Sequence, residues 1–356
     1  MYLLKKWLKL WLMEKAFCWV GIWSFLTREK EPDKNSPLKI GILFLKSLGI
    51  GDLIMMSPVI LKIREMYPRA EIELITWVPE IMKLERVEWK NRETASNNFD
   101  LLISPSLNLK HIPWIFKAKY WIGYFAKNRI QSNFLKSKLG FDPRSDHYLK
   151  RGFSLIRAMG DKLEPRYPSF LKEEVKKYKG EDYALIAPFS NWEERQWPLK
   201  YWAEIINHIL EKELVEKVIL IGGKADWERE KLKKLLPLIE KNSQKIDLLI
   251  GERSVNLRQL AWLMENSRFF LGLDSGPSHF GYFLSPRSFI IFVSVNPKTR
   301  IPPGKEENIV SFYPQNCPNF PCYSGIYRPR IKKCKRWAES IKPEKILKEI
   351  RKHYES

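Results

Sequence analysis

Cysteine is scarce in this chain of 356 residues, which contains only four. Cys18 is isolated, and Cys317, Cys322 and Cys334 are grouped late in the sequence. Secreted domains that depend on disulfides are much richer in cysteine, so the composition argues against a disulfide framework and favours the reducing cytoplasm. The late cysteines would suit zinc only with a fourth ligand, and no histidine lies close to them in the sequence. Free or buried thiols are the simpler interpretation, and we expect no bound metal.

Long apolar segments are also missing. The longest uncharged run near the amino terminus covers residues 16–27, well short of the roughly 20 residues that span a bilayer. Basic residues precede this run, as in a signal peptide, but no small-x-small cleavage site follows it. The sequence therefore predicts neither a transmembrane helix nor a cleaved signal.

Residues 1–37 differ in composition from the rest of the chain. They are rich in tryptophan, leucine and lysine and end in the charged, proline-containing linker TREKEPDKNSP. On a helical wheel, Lys5, Lys6 and Lys9 share an arc of about 100°, and leucine and tryptophan cover the remainder. This pattern predicts a helical extension that lies on the anionic cytoplasmic face of a membrane. The alternative is an ordinary extra helix packed on the folded domains.

Negative charge is in short supply, since 41 acidic residues face 62 lysines and arginines and leave a net charge of +21. Such a balance favours an anionic partner, which would be nucleic acid, a phosphate-bearing substrate or an acidic membrane surface. Charge alone does not choose among these partners.

Length and pattern predict two α/β domains, because 356 residues exceed what one hydrophobic core usually supports. From residue 38 onward, aliphatic runs alternate with amphipathic stretches, which predicts parallel sheets covered by helices on both faces. The predicted strands form two series, at 39–45, 71–76 and 99–104, and at 183–189, 217–223, 246–251, 268–273 and 288–294. Residues 165–180 interrupt the pattern between the two series, and the basic, aromatic region 106–160 is interpreted as helical.

Ligands of open parallel sheets bind beyond the carboxyl ends of the strands. We call the turn that follows a predicted strand a corner, and four corners stand out. The first is SLGIGD, in which Gly49 and Gly51 allow a tight turn and Asp52 falls at a helix amino terminus, where a carboxylate is favoured. A dinucleotide fingerprint would need another glycine near Ile54, and its absence argues against a nicotinamide or flavin site. Asp52 is interpreted either as a functional acid or as a simple helix cap.

Two further corners follow strands of the second series. In APFSNWEERQWP, Ser190 follows a strand and Arg195 precedes a helix entry, where its guanidinium would suit a phosphate unless it is simply exposed. In IGGKADWE, Gly222 and Gly223 end a strand, and Asp226 or Glu228 would reach a ribose hydroxyl. A glycine pair after a strand is also a common turn without any ligand.

The fourth corner is LDSGPSHF, which leaves a predicted strand directly into Asp274 and a run of polar or flexible residues. If Ser275 and Gly276 open a helix, their amides and hydroxyl would cradle a pyrophosphate. His279, one turn further, would face the same pocket. The alternative is an ordinary packed or surface histidine.

The four corners together resemble glycosyltransferase family 9, the bacterial heptosyltransferases of the lipopolysaccharide inner core. The stretch SLGIGDLIMMSPVILKIREMYPRAEIELIT resembles the amino-terminal signature of the family. RQWP, ILIGG and LDSGPSH resemble its K-x-W-P, Gly-Gly and D-[ST]-G-x-x-H segments, in the expected order between residue 39 and about residue 340. The resemblance implies the GT-B architecture of two facing Rossmann-like domains and inverting chemistry without a cofactor or metal.

Domain limits and residue roles follow from this resemblance. We expect an extension at 1–37, an acceptor domain at 38–172, a nucleotide-sugar domain at 173–337, and a helix at 338–356 that packs back toward the first domain. Asp52 would be the general base, beside the loop glycines Gly49 and Gly51. The implied donor-binding residues are Ser190, Arg195, Gly222, Gly223, Asp226, Glu228, Asp274, Ser275, Gly276 and His279.

The partners implied by the resemblance are ADP-heptose as donor and a lipopolysaccharide core or related glycolipid as acceptor, met at an anionic membrane surface, with no specific nucleic acid. The chain departs from the family at two points. Arg195 replaces the usual lysine, and FVSVNP replaces the FGPT-like segment, so Ser294 and Asn296 would shape a different pocket wall.

Two alternatives remain at the level of sequence. A glycosyltransferase with a hexose donor and another glycan acceptor would use the same residues, since diphosphate recognition does not report the sugar. A non-catalytic protein that binds polyanions or membrane surfaces would use the positive charge and leave the pocket idle.

Overall fold

The computed structural model describes residues 33–45, 49–104, 112–115, 117–123, 146–156, 164–317, 320–321 and 337–354. The amino-terminal extension up to residue 32, together with Cys18, Cys322 and Cys334, lies outside the described residues, so the expectations about them stay predictions. Cys317 is a buried free thiol. No helix in the described ranges has both the length and the apolar character needed to cross a bilayer.

The first sheet consists of five parallel strands in the order β3-β2-β1-β4-β5. Its central strands are aliphatic and buried, as expected for a sheet covered on both faces. The strands are β1 (Lys39–Phe44), β2 (Glu71–Thr76), β3 (Val87–Lys90), β4 (Phe99–Ser104) and β5 (Ala118–Gly123). The helices of this half are α1 (Ile50–Met66), α2 (Ile112–Ile115) and α3 (Tyr148–Leu155).

The second sheet has six parallel strands in the order β11-β10-β9-β6-β7-β8, the doubly wound arrangement of dinucleotide-binding folds. Its strands are β6 (Tyr183–Ala187), β7 (Lys217–Ile221), β8 (Ile246–Leu249), β9 (Phe269–Leu273), β10 (Ser288–Ile291) and β11 (Ile309–Phe312). Its helices are α4 (Leu199–Glu211), α5 (Asp226–Leu235), α6 (Leu257–Asn266), α7 (Gly276–Leu284) and α8 (Pro343–Tyr354). The prediction of two doubly wound α/β units is confirmed.

Helix α1 joins the two halves of the molecule. It leaves β1, covers the first sheet and packs against both α3 and α7 of the second half. All residues from Leu53 to Leu61 are buried, because a helix that is enclosed on several sides has no water-facing stripe. Phe170 and Phe280 extend this packing, with ring centroids 5.4 Å apart.

The carboxyl-terminal helix α8 packs on the second sheet. The indole Nε1 of Trp197 donates to the carbonyl of Ile341, which precedes α8, at 3.0 Å, and the hydroxyl of Tyr354 donates to the carbonyl of Arg268 at 2.9 Å. Ile346 and Ile350 are fully buried in the same apolar cluster as α4. The expectation that this helix packs back toward the first domain is therefore wrong for its described residues, because its apolar face matches the outer surface of the second sheet.

Region 106–160 is not uniformly helical. Its described part contains strand β5 as well as the helices α2 and α3, so the helical prediction is wrong at β5. The pairing of β5 with β4, which aligns Leu101 with Tyr120, supplies the hydrogen bonds that its mixed composition did not reveal. The short edge strands β3 and β11 likewise follow from pairing to a neighbouring strand.

Candidate active site

Asp52 is the third residue of α1, and the backbone N–H of Gly49 donates to its Oδ2 at 2.8 Å. The carboxylate therefore does cap the helix, as one of the two interpretations expected. Its other oxygen accepts no hydrogen bond from the described residues. A half-buried carboxylate held at a helix amino terminus in this way keeps one oxygen for a ligand.

The two halves meet where Gly51 of α1 touches His279 of α7. A Cβ atom on Gly51 would lie only 2.2 Å from Cδ2 of the imidazole, so only glycine allows this approach. The contact brings the carboxyl end of β1 next to the carboxyl end of β9. Asp52 and His279 therefore lie near each other, close enough for the charge of Asp52 to act on the imidazole, although they lie in different halves of the chain.

His279 is buried, and its Nδ1 has no hydrogen-bond partner among the described residues. Burial is the main reason why the pKa of His279 is lowered to about 4. The charges of Arg300 and Arg195 lower this pKa further, whereas the charges of Asp274 and Asp52 raise it. The imidazole is consequently neutral at physiological pH. Its ring also contacts Tyr282 edge-on, with centroids 5.3 Å apart.

Arg195 and Asp274 form an ion pair beside this histidine. Nη1 of Arg195 donates to the backbone carbonyl of Asp274 at 3.0 Å and lies 3.2 Å from its Oδ2. Burial raises the pKa of Asp274, but the positive charges of Arg195 and Arg300 and the nearby His279 outweigh burial and lower it overall. The arginine side chain is only 13% exposed, so the alternative of a simply exposed arginine is wrong.

Several buried polar atoms around this pair have no hydrogen-bond partner among the described residues. They are Oδ1 of Asp274, Nδ1 of His279 and the hydroxyls of Ser275 and Tyr282, whereas Oδ2 of Asp274 has its ion pair with Arg195 but no hydrogen bond. An unsatisfied buried polar group typically costs about 1–3 kcal/mol, so their concentration at one place indicates a polar ligand or bound water. Ser275 also precedes α7, whose free amides would favour an anion.

The corner after β6 completes one side of this cluster. Ser190 is buried, and its hydroxyl accepts a long hydrogen bond, 3.4 Å, from the N–H of Trp192. The side-chain amide of Gln196 donates to the carbonyl of Ser190. Strand β6 is the neighbour of β9 in the sheet, so this corner and the Asp274 corner lie side by side.

The corner after β7 separates the two acidic candidates. The N–H of Gly223 donates to Oε2 of Glu228, and burial raises the pKa of Glu228 despite this bond. Asp226 instead is 88% exposed and pairs with Arg229. Glu228 is therefore the acid that lies against the glycine pair, whereas Asp226 lies at the surface.

Comparison with known proteins agrees with this geometry. The sequence profile described as glycosyltransferase family 9 (heptosyltransferase) matches residues 91–324, well over half of the chain. The chain belongs to glycosyltransferase family 9. A search of curated proteins finds no significant match.

Solved structures of a family 9 glycosyltransferase and of two heptosyltransferases share the fold at low sequence identity. The family 9 glycosyltransferase from Veillonella parvula is 16% identical and superposes with a TM-score of 0.64 over 90% of this chain and 97% of that one. E. coli ADP-heptose lps heptosyltransferase II is 14% identical, with a TM-score of 0.62 over 89% of this chain and 100% of that one. E. coli heptosyltransferase WaaC, solved with ADP, is 14% identical, with a TM-score of 0.55 over 88% of this chain and 99% of that one. The GT-B architecture is thereby confirmed.

An iron-containing dodecameric heptosyltransferase is also similar in fold. TibC from E. coli, in complex with ADP-D-beta-D-heptose, is 14% identical, with a TM-score of 0.59 over 90% of this chain and 78% of that one. In the present family 9 chain, the described residues contain no group of three or more His, Cys, Asp or Glu side chains arranged to hold a metal ion.

In the segment FVSVNP, which departs from the family pattern, Ser294 and Asn296 lie in different environments. Ser294 is fully buried, and its hydroxyl has no hydrogen-bond partner among the described residues. Asn296 caps the short 3-10 turn Pro297–Thr299 and accepts from the N–H of Lys298 at 3.1 Å. The oxygen of Asn296 is thus used by the loop itself.

The sequence interpretation did not include Tyr148, Tyr282 or Arg300 in the site. Tyr282 follows His279 by three residues on α7, and this helical spacing would have indicated a shared face. Arg300 follows β10, a neighbour of β9, and the rule of strand ends would have indicated it. The sequence carries no signal that places Tyr148 beside Arg300.

Proposed function

We propose that this protein transfers a sugar from a nucleoside diphosphate sugar to a glycan acceptor by a single inverting displacement. The supporting observation is the contact between Gly51 and His279, which brings the carboxylate of Asp52 beside the buried pocket of Arg195, Asp274 and Ser275. The reaction needs a carboxylate that acts as a base and a cationic helix terminus that accepts an anion. One half of the chain supplies the first and the other half supplies the second.

In the proposed step, the acceptor hydroxyl oxygen attacks the anomeric carbon of the donor. The bond between that carbon and the phosphate oxygen breaks, and its electron pair leaves with the diphosphate. Asp52 takes the proton of the acceptor hydroxyl, which is general-base catalysis. Attack from the face opposite the leaving group inverts the anomeric configuration, and no covalent enzyme intermediate forms.

The departing diphosphate gains negative charge, which the protein must stabilise. Arg195 and the free amides at the start of α7, including Gly276, supply positive potential for it. The hydroxyls of Ser190 and Ser275 lie in the adjoining corners and are assigned to phosphate oxygens. His279, neutral at physiological pH, keeps one ring N–H that can donate a hydrogen bond to the same group. These groups supply the charge stabilisation of the proposed mechanism without a metal.

We assign the donor to the ADP-heptose class and the acceptor to a lipopolysaccharide core or related glycolipid. Similar structures of the same family are named as ADP-heptose heptosyltransferases or contain ADP. Glu228 is the better candidate for the ribose hydroxyls, since it lies against Gly222 and Gly223, whereas Asp226 is exposed. Residues 38–172 are proposed as the acceptor domain and residues 173–337 as the donor domain, on the cytoplasmic face of the membrane.

Calorimetric titration of the full chain with ADP, UDP, adenosine and ADP-heptose tests this assignment. We expect ADP to bind more tightly than both UDP and adenosine, and ADP-heptose to be consumed with release of ADP when a lipopolysaccharide-core acceptor is present. NMR of the product should show inversion at the anomeric carbon. Selective binding of UDP would redirect the assignment to a hexose donor. Binding of DNA that weakens steeply with salt, without nucleotide binding, would favour the polyanion alternative.

A further inference from the structure

Arg300 lies in the loop that follows β10, outside the four corners that the sequence indicated. Strand β10 is the neighbour of β9, and the N–H of Asp274 donates to the carbonyl of Ile291 at 3.2 Å, so the two loops leave the sheet side by side. The backbone N–H of Arg300 donates to the carbonyl of Pro297 at 2.9 Å. The hydroxyl of Thr299 donates to the carbonyl of Asn296 at 2.7 Å. A compact turn therefore fixes the base of the Arg300 side chain.

The guanidinium of Arg300 stacks on an aromatic ring from the other half of the molecule. Its central carbon lies 5.5 Å from the ring centroid of Tyr148, the first residue of α3. Tyr148 is buried in the core cluster that also contains α1. Stacking on an aromatic face restricts the plane in which a guanidinium lies. The half-buried Arg300 side chain is thus oriented jointly by the carboxyl-terminal loop and the amino-terminal half.

The position of Arg300 brings its charge to the same pocket as Arg195. Burial is the largest influence on the pKa values of both Asp274 and His279, and the charge of Arg300 lowers both of them. The effect reaches Tyr282 as well, where burial raises the pKa and Arg300 opposes it. Each of these three residues carries a buried polar atom that has no hydrogen-bond partner among the described residues.

Arg195 by itself is a weak counter-charge for a diphosphate. Its Nη1 is already directed at Asp274, through the backbone carbonyl and through the carboxylate. A leaving diphosphate carries more than one negative charge and gains another when the glycosidic bond to phosphate breaks. A second guanidinium would add to the positive charge of Arg195 and the helix amides, and would offer another rigid fork that matches phosphate oxygens.

We propose that Arg300 is a second diphosphate-binding residue of the donor site, held in place by the ring of Tyr148, and that it stabilises the leaving diphosphate. This inference rests on the proposed function and adds a residue to it. Because Tyr148 belongs to the amino-terminal half, the arrangement also links donor binding to the packing of the two halves.

The test compares Arg300→Gln, Arg300→Lys and Lys298→Gln in the full-length protein. Lys298 is an exposed lysine two residues earlier on the same loop, so its replacement removes the same charge outside the pocket. Affinity for ADP and for adenosine is measured by calorimetry, and kcat and KM are measured with the donor. Thermal unfolding confirms that each variant is folded.

We expect Arg300→Gln to weaken ADP binding by roughly 10- to 100-fold, as for the loss of a charge-assisted hydrogen bond, with adenosine binding unchanged and kcat reduced. Arg300→Lys should recover part of the affinity, and Lys298→Gln should behave as the wild type. Unchanged ADP affinity in Arg300→Gln, or equal losses for ADP and adenosine, would overturn the proposal.

A second pair of variants tests the support from the amino-terminal half. Tyr148→Phe keeps the aromatic face, and Tyr148→Leu removes it. We expect the leucine variant alone to weaken ADP binding. Equal ADP affinity in both would overturn the role of the ring. If the wild type binds ADP but Arg300 is irrelevant, only this inference fails. If the wild type binds no nucleoside diphosphate, the proposed function fails instead.

Discussion

At the scale of single residues, the site depends on a glycine, a buried ion pair and several hydroxyls without hydrogen-bond partners among the described residues. Gly51 has no side chain, and the imidazole of His279 occupies the space where a Cβ atom would lie. Arg195 and Asp274 contribute opposite charges in a place with little water. The unpartnered hydroxyls of Ser275 and Ser294 contribute hydrogen bonds that the described residues do not complete. Each feature costs stability by itself, which is common where a protein keeps groups ready for a ligand.

Replacement of Gly51 by alanine should disturb the junction. The added methyl group would lie 2.2 Å from the imidazole of His279, so helix α1 or the ring must move. Overpacking of this kind typically costs about 1–3 kcal/mol, and we expect a lower free energy of unfolding and weaker ADP binding. Gly49→Ala is the matched control, because its methyl group would meet Asp52 at an ordinary 3.6 Å. Equal effects of the two substitutions would contradict the prediction.

Asp52→Asn should separate binding from chemistry. Loss of a general base lowers turnover by roughly 100- to 10,000-fold, whereas calorimetry should show nearly unchanged affinity for ADP. The asparagine oxygen still accepts the hydrogen bond from Gly49, so the free energy of unfolding should change by less than about 1 kcal/mol. Full turnover in this variant would refute the role of Asp52.

The neutral state of His279 should appear in the pH dependence of stability. The pKa is about 4 in the folded protein, below its ordinary value of 6.5, so the unfolded chain binds a proton first as the pH falls. The contribution of this histidine is complete above pH 6.5 and is lost progressively toward pH 4. We expect the stability of His279→Gln to fall less over this interval than that of the wild type. Parallel curves from urea unfolding at several pH values would show that His279 is not responsible.

At the scale of elements, the helices differ in the number of faces that they bury. Helix α1 is enclosed by the first sheet, α3 and α7, and its buried residues do not form a single stripe. Helix α8 has one apolar face, which lies on the second sheet, and its opposite face is charged. A helix with one apolar stripe has one docking surface, but the stripe does not report which of two sheets it will cover.

Helix α8 should be an integral part of the second half. Ile346 is fully buried, and Ile346→Ala should lower the free energy of unfolding of this half by about 2–5 kcal/mol, the usual cost of a cavity in a core. Lys348, exposed on the same helix, provides the control, since Lys348→Ala should change stability by less than about 0.5 kcal/mol. Tryptophan fluorescence during urea unfolding would follow the change, because Trp197 contacts the segment before α8. Equal stability of the two variants would contradict the observed packing.

At the scale of the whole molecule, the candidate active site is built from the ends of two sheets. The carboxyl ends of β1 and β9 meet through the contact of α1 with α7, and the described core continues from one half into the other. Arg258 adds a polar link, with its Nε donating to the carbonyl of Glu80 at 2.9 Å. The proposed base in one half and the proposed donor pocket in the other could then act on one pair of substrates.

We expect the amino-terminal extension to hold the whole molecule at an anionic membrane surface. A variant that begins at Pro37 should fold and bind ADP like the full chain, but should no longer sediment with vesicles that contain anionic lipid. Its folded part keeps the strand β1 and everything that packs on it. If both proteins sediment equally, the basic surface of the folded domains is responsible and the extension has no such role.

Sequence alone determined the alternation of strands and helices, because strands buried on both faces must be continuously apolar and each run must be followed by a polar turn. For the same reason it indicated the four corners with Asp52, Arg195, Gly222 and Asp274. Only the tertiary structure decided which of these residues meet. The ion pair of Arg195 with Asp274 joins positions 79 residues apart, and the contacts of Gly51 with His279 and of Arg300 with Tyr148 cross between the two halves. Such contacts depend on how helices and loops pack in space, and the local pattern around either residue contains no information about the other.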